Sequence, residues 1–234
     1  MDDVTAIGLL DGGVAGELRA FAKAAARFEI DSRMSVCERP ADDGNGHGSA
    51  LAAILAAMAP GAALLDAQVF DTRGASSPML VAAGLRWLVD NGARVVNMSF
   101  GLMEDRDTLR LACDYALKAG AILIAATPVR GRRVFPAAYP GLIRVSADGR
   151  CGHRELSRLG AAPADFGACP LPVRNDCYVL TPGGSSYATA HATAMVASWM
   201  IDLGRPATRD EAFSYMRSLA RQFDERFHPA NGEV

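Results

Sequence analysis

At 234 residues, half of them hydrophobic, the chain carries enough apolar material for a full core, which excludes a disordered or fibrous class and predicts one α/β domain over 1–234. A formal net charge of -2, a pI near 6.1 and no basic run longer than 130–133 exclude an electrostatic footprint for nucleic acid. The N-terminus starts acidic and lacks the basic and apolar regions of a secretory signal, and the apolar run 50–65 is broken by Pro60-Gly61, so neither a signal nor a membrane span is expected.

Residues 4–10 (VTAIGLL) form a continuous apolar run ending in Asp11-Gly12-Gly13, which predicts a buried parallel strand with Asp11 at its carboxyl end. That end is where open α/β sheets gather their chemistry. The stretch 31–43 reads as polar and variable. Asp43-Gly44-Asn45-Gly46-His47-Gly48 then leads into an alanine-rich helix over 49–58, so His47 stands on a glycine-flanked loop at a helix N-terminus. The positive helix end disfavours imidazolium and predicts a neutral ring.

A strand at 63–70, a helix at 78–90 stopped by Asn91-Gly92, a strand at 94–101, a helix at 104–119 and a strand at 121–126 follow. Alternation of this kind predicts a doubly wound, mainly parallel sheet. Beyond Thr127-Pro128 and a basic loop comes a strand at 142–147, and 149–178 reads as loops and short antiparallel strands. The chain then reaches Pro182-Gly183-Gly184-Ser185-Ser186-Tyr187, a turn opening an Ala-rich helix. Five cysteines at 37, 113, 151, 169 and 177 are odd in number and irregularly spaced, which predicts free thiols in a reducing, cytoplasmic setting. Cys151-Gly-His153 and the pair Cys169/Cys177 lack zinc spacing, so no metal or cofactor is expected.

A serine at a turn-to-helix junction has its backbone N–H where an oxyanion would be stabilised, which makes Ser186 a candidate nucleophile. With Asp11 and His47 it gives the chain order Asp, His, Ser, one of the three known orders of such triads. Four segments, AIGLLDGGV, GNGHGSALA, VVNMSFG and GSSYATAHATAMVA, together with FPAAYPGLIRVSA, resemble the ordered motifs of subtilisin-like serine peptidases, the subtilases of the S8 type, over about residues 4–220. The resemblance implies a three-layer α/β fold, a mainly parallel central sheet with helices on both faces, and a catalytic Asp11, His47 and Ser186. It also implies an extended peptide or protein substrate paired between Gly74-Ala75-Ser76 and Ser99-Phe100-Gly101, and a structural role for His191. An α/β-hydrolase elbow is disfavoured because Ala188 stands where its last glycine belongs.

Departures from the family pattern shape the remaining expectations. Thr127-Pro128 occupies the position of the family's oxyanion asparagine, leaving the Ser186 N–H with Thr127 or Arg130 as substitute donors. Val134 and Ala137 fall where the family often has glycine in the S1 pocket, which predicts a narrowed pocket and a small P1 residue. No calcium-binding insertion follows the His47 helix, and no pro-region is expected before the Asp11 strand. The chain is therefore expected to be an intracellular endopeptidase making limited cleavages. It is similar to small subtilases that remove leaders from modified peptides, such as the type acting on the small subunit of quinohemoprotein amine dehydrogenase. A peptide-binding module of weak or no activity is the other expectation.

Overall fold

The computed structural model describes residues 5–42, 44, 46–159, 163–174, 177–178 and 184–222. Among these described residues, nine strands form one sheet: β1 (Ala6–Asp11), β2 (Ala22–Ile30), β3 (Val36–Pro40), β4 (Ala63–Gln68), β5 (Val95–Met98), β6 (Ile122–Ala126), β7 (Ile143–Ala147), β8 (Leu156–Arg158) and β9 (Phe166–Ala168). Their spatial order is β3-β2-β4-β1-β5-β6-β7-β9-β8, parallel from β2 through β9 with β3 and β8 antiparallel at the edges. A separate two-stranded ribbon joins β10 (Val173–Arg174) to β11 (Cys177–Tyr178).

Helices α1 (His47–Met58), α4 (Ser185–Leu203) and α5 (Arg209–Leu219) cover one sheet face, and α2 (Pro78–Asp90) and α3 (Asp107–Lys118) cover the other. Alternate strand residues serve the two faces: Ile7 and Leu9 of β1 meet the α1/α4 side, while Ala6 and Leu10 meet α2 and α3. With both faces covered, every residue of β1 is buried, which is why the segment reads as an unbroken apolar run. Truncating a fully buried side chain such as Leu55 or Leu85 would cost about 2–5 kcal/mol.

Helix ends follow local chemistry. Ser77 accepts the Leu80 N–H ahead of Pro78, and α2 stops before Gly92 at φ 92°. Thr208 and Glu211 close a reciprocal cap on α5. Helix α4 instead is buried almost all round, with Ala188, Ala190, Ala192, Ala194 and Ala197 letting it pack closely against α1 and β5–β7.

Two strands were not read from the sequence: β3, within the polar stretch, pairs antiparallel to β2 from Ile30↔Val36 to Ala26↔Pro40, and β2 in turn pairs parallel with β4. The β2 sequence AKAAARFEI has few branched residues, so its strand state comes from pairing and not from propensity.

Candidate active site

The parallel pairing of β1 and β5 aligns Leu9 with Asn97, so two residues further on Asp11 stands level with Ser99 at the carboxyl edge of the sheet. Helices α1 and α4 both start at this edge. The loop after β1 is pressed against the start of α1: a Cβ at Gly48 would lie 2.4 Å from the Gly13 carbonyl oxygen, and one at Gly44 would lie 2.2 Å from it. Only glycine permits that approach.

The approach brings His47 to Asp11, with Nδ1 2.8 Å from Oδ1. Asp11 is 3% exposed, and the Gly12 N–H also donates to its Oδ1 at 2.8 Å. An ionised carboxylate only accepts, so the shared proton sits on Nδ1 and Nε2 keeps its lone pair. The hydrogen bond to Asp11 raises the His47 pKa above its ordinary value, outweighing burial, and the carboxylate charge adds to it. The carboxylate at 2.8 Å thus acts on the ring in the opposite sense to the helix end, which disfavours imidazolium. His47 is moreover the first residue of α1, not part of a loop before it.

Ser186 is the second residue of α4. Its Oγ donates to the Ser99 carbonyl at 3.1 Å, while its own carbonyl accepts from Ser99 Oγ at 2.9 Å. Asn97 Nδ2 donates to Ser99 Oγ at 2.9 Å, and Asn97 Oδ1 accepts from Thr193 Oγ1 at 3.3 Å, so a buried polar chain ties α4 to β5. The adjacent Ser185 turns the other way: its Oγ lies 3.4 Å from Ser146 Oγ and accepts from the Ala147 N–H at 3.3 Å. Tyr187 places its ring centroid 6.3 Å from that of His47, joining the two helix starts. The Pro182-Gly183 part of the turn before Ser185 lies outside the described residues.

Thr127 is 2% exposed at the end of β6, and its N–H donates to the Val145 carbonyl at 2.9 Å. It borders a cavity of about 270 Å³ walled also by Gly131, Arg133, Val134, Ala137 and Arg144. Arg130 is exposed and stands outside that wall, and Pro128 is half-buried. Val134 and Ala137 are among its walls, and the volume stays open between them and Arg144, whose guanidinium is paired with Asp165. Val134 also packs on the 99–101 segment: a Cβ on Gly101 would come within 3.0 Å of it, and Leu102 and Phe135 exchange backbone hydrogen bonds of 2.7 and 2.8 Å.

On the opposite edge, Gly74 sits at φ 75° in a turn closed by Asp71. The Gly74 N–H donates to the Asp71 carbonyl at 2.9 Å, the Ala75 N–H donates to Asp71 Oδ1 at 2.8 Å, and the Ala75 carbonyl accepts the Asp71 N–H at 2.9 Å. Ser76 Oγ donates to the Val69 carbonyl at 2.6 Å. A groove of about 510 Å³ runs along Ala75, Ser76 and Phe70, and Phe70 meets Phe100 at 5.3 Å between ring centroids, joining the two edges.

Sequence reasoning missed Asp66. It lies in β4 beside β1, 1% exposed, and its Oδ2 accepts the Val14 N–H at 2.9 Å. Burial pushes its pKa up to about 6 against the Val14 hydrogen bond, and the charge of Asp11 pushes the same way. The signal was a single acid inside the apolar run ALLDAQVF.

Comparison with known proteins gives one consistent picture. The model of the subtilase family matches residues 2–211. A thermostable alkaline protease of Halalkalibacterium halodurans is 32% identical over 170 residues, covering 66% of this chain and 47% of the relative. Subtilisin Savinase of Lederbergia lenta is 31% identical over 169 residues, 68% of this chain and 61% of the relative. Thermitase of Thermoactinomyces vulgaris is 31% identical over 188 residues, 73% and 66%. The chain thus spans from about half to two thirds of the length of these relatives. Among solved structures, a cold adapted subtilisin-like serine proteinase superposes with a TM-score of 0.71 at 20% identity, over 93% of this chain and 83% of that one. Fervidolysin from Fervidobacterium pennivorans, a keratinolytic enzyme related to subtilisin, gives 0.64 at 22% identity, over 89% and 38%. At these identities the likeness is one of fold: three layers with a largely parallel central sheet.

Proposed function

Because the chain belongs to the subtilase family, we propose that it is a serine endopeptidase in which Ser186 attacks a peptide carbonyl, His47 moves the proton and Asp11 orients His47. The observation that carries this reading is the 2.8 Å hydrogen bond between buried Asp11 and His47 Nδ1, which leaves Nε2 as the base.

Ser186 Oγ first rotates from the Ser99 carbonyl to Nε2. It then adds to the substrate carbonyl as His47 takes its proton, and the imidazolium is stabilised by Asp11. His47 returns that proton to the leaving amine, and water resolves the acyl-enzyme by the same route in reverse. The developing oxyanion is held by the Ser186 N–H at the start of α4, where backbone donors lack intrahelical partners, and by the Thr127 hydroxyl. Arg130, exposed and outside the cavity wall, is a weaker candidate for that second donor.

The substrate lies extended between 99–101 and 74–76, with its P1 side chain in the cavity beside Thr127. The Asp71 turn already engages Gly74 and Ala75 main-chain groups, so pairing on that side centres on Ser76 and the sequence just after it. A groove so constrained suits limited cleavage of a dedicated cytoplasmic peptide or protein, removal of a leader being one form of it.

Pro128, which brings neither an N–H nor a side-chain donor to the oxyanion position, favours the second reading of a peptide-binding module. A fluorophosphonate probe separates the two. The folded chain is expected to be labelled covalently and Ser186→Ala is expected not to be; absence of labelling in folded parent protein would leave the binding module.

A further inference from the structure

On the α1/α4 side of the sheet, three soft donors converge from distant parts of the chain. His153 comes from the turn after β7, Cys169 directly follows β9, and His191 lies in α4; one donor atom of each lies within 4.8 Å of the others. Cys169 and His191 are 2% and 0% exposed, and the two imidazole rings stack with centroids 4.8 Å apart. Met58, the last residue of α1, places its Sδ 2.8 Å from His191 Nδ1.

His191 stands among acceptors on both sides of its ring. Nε2 lies 2.8 Å from the Leu171 carbonyl, and Nδ1 faces the Met58 thioether; both neighbours only accept. A neutral imidazole has one N–H, so either tautomer leaves one ring lone pair against another acceptor. Imidazolium would satisfy both sides, but only by placing a charge on a ring that is 0% exposed. The Leu171 carbonyl is the stronger acceptor and takes the Nε2 proton, which is the arrangement by which a ligating histidine is usually held. Nδ1 is then left with its lone pair directed toward sulfur.

We propose that His153, Cys169 and His191 together bind a soft d10 cation, Cu⁺ or Zn²⁺. No carboxylate belongs to the group, which disfavours Ca²⁺ and Mg²⁺. A thiol ligates as the thiolate, so binding displaces one proton from Cys169. Two neutral imidazoles and one thiolate leave a Cu⁺ site with no net charge, the arrangement best tolerated in an apolar interior. A bound ion would join the turn after β7 and the end of β9 to the Ser186 helix through side chains none of which belongs to the triad.

The test needs no peptidase activity. The purified full chain is titrated with Cu⁺ under anaerobic conditions and separately with Zn²⁺, each against a chromophoric chelator, and protons released are counted. One equivalent of either ion, release of about one proton, and loss of binding by at least tenfold in both Cys169→Ser and His153→Ala are expected. Cys113→Ser, a buried thiol elsewhere in the core, retains binding. Co²⁺ in place of Zn²⁺ would show a thiolate-to-metal absorption band that Cys169→Ser abolishes. Both variants are first checked for native circular dichroism; His153 is half-buried in a turn, so His153→Ala remains informative if Cys169→Ser fails to fold. No stoichiometric binding of either ion, or binding that survives in a folded variant, overturns the proposal.

Discussion

Replacing Gly48 by alanine tests how the chain brings His47 to Asp11. The new Cβ would lie 2.4 Å from the Gly13 carbonyl oxygen, 0.6 Å inside the 3.0 Å floor that real Cβ contacts respect. Neither partner can yield as a side chain would. Gly48 belongs to α1, and the Gly13 loop is held by the Val14 hydrogen bond to buried Asp66. If helix and loop separate by the missing distance, the 2.8 Å Asp11–His47 contact stretches to about 3.4 Å, and the base loses its orientation. Alanine gains about 1 kcal/mol over glycine in helix propensity, while overpacking costs about 1–3 kcal/mol, so the net effect on stability is small. A misplacement approaching 1 Å costs roughly 10²-fold in rate. Gly48→Ala is therefore expected to melt within a few degrees of the parent while its fluorophosphonate labelling rate falls about 100-fold. Gly92→Ala, strained at φ 92° but with no atom within 4 Å, should do the reverse, losing stability and keeping labelling. A Gly48→Ala protein that labels within about threefold of the parent would refute the reasoning.

Activity should rise with pH through an apparent pKa above 6.5, since His47 acts as a base when neutral and Asp11 raises its pKa. The stability contribution of the pair runs the opposite way, present in full below 6.5 and fading as pH passes the raised value. Asp11→Asn should cut kcat by about 10⁴ and move the acid limb of the profile down; an unmoved limb would separate that limb from His47. Asp66, raised from 3.8 to about 6 chiefly by burial, makes the parent lose stability as pH climbs through that range. Asp66→Asn lacks this loss, so its urea-derived stability relative to the parent should improve from pH 3.5 to pH 8 by up to about 3 kcal/mol, and no improvement would contradict a buried, ionising Asp66. Thr127→Val should lower kcat by about 10²–10³ with little change in KM while Thr127→Ser retains activity; an unchanged kcat would move the second oxyanion donor elsewhere.

Where the sequence was legible, the cause was local. The unbroken runs of β1, β5 and β6 read as parallel strands because each is buried on both faces, and α2 read correctly from Ser77-Pro78 to Asn91-Gly92 because caps act within one turn. The β2–β3 hairpin was not legible, since its alanines become strand only by pairing with β4. Asp66 was visible as a lone acid in an apolar strand, but its role beside Asp11 depends on which strands are neighbours. The gathering of His153, Cys169 and His191 was hidden for the same reason: these positions match no zinc spacing along the chain and meet only through the packing of α4.

By itself the sequence determined the alternation of strands and helices, the order Asp11, His47, Ser186 and the glycines that flank His47, because hydrophobic period, capping and backbone sterics act over a few residues. Tertiary structure alone decided that His47 is made more basic, that Ser185 turns inward while Ser186 faces Ser99, and that His191 stands among acceptors. Proton affinity and hydrogen bonding are set across about 3 Å of space by groups 20 to 133 residues apart in the chain, and only packing brings such groups within that range.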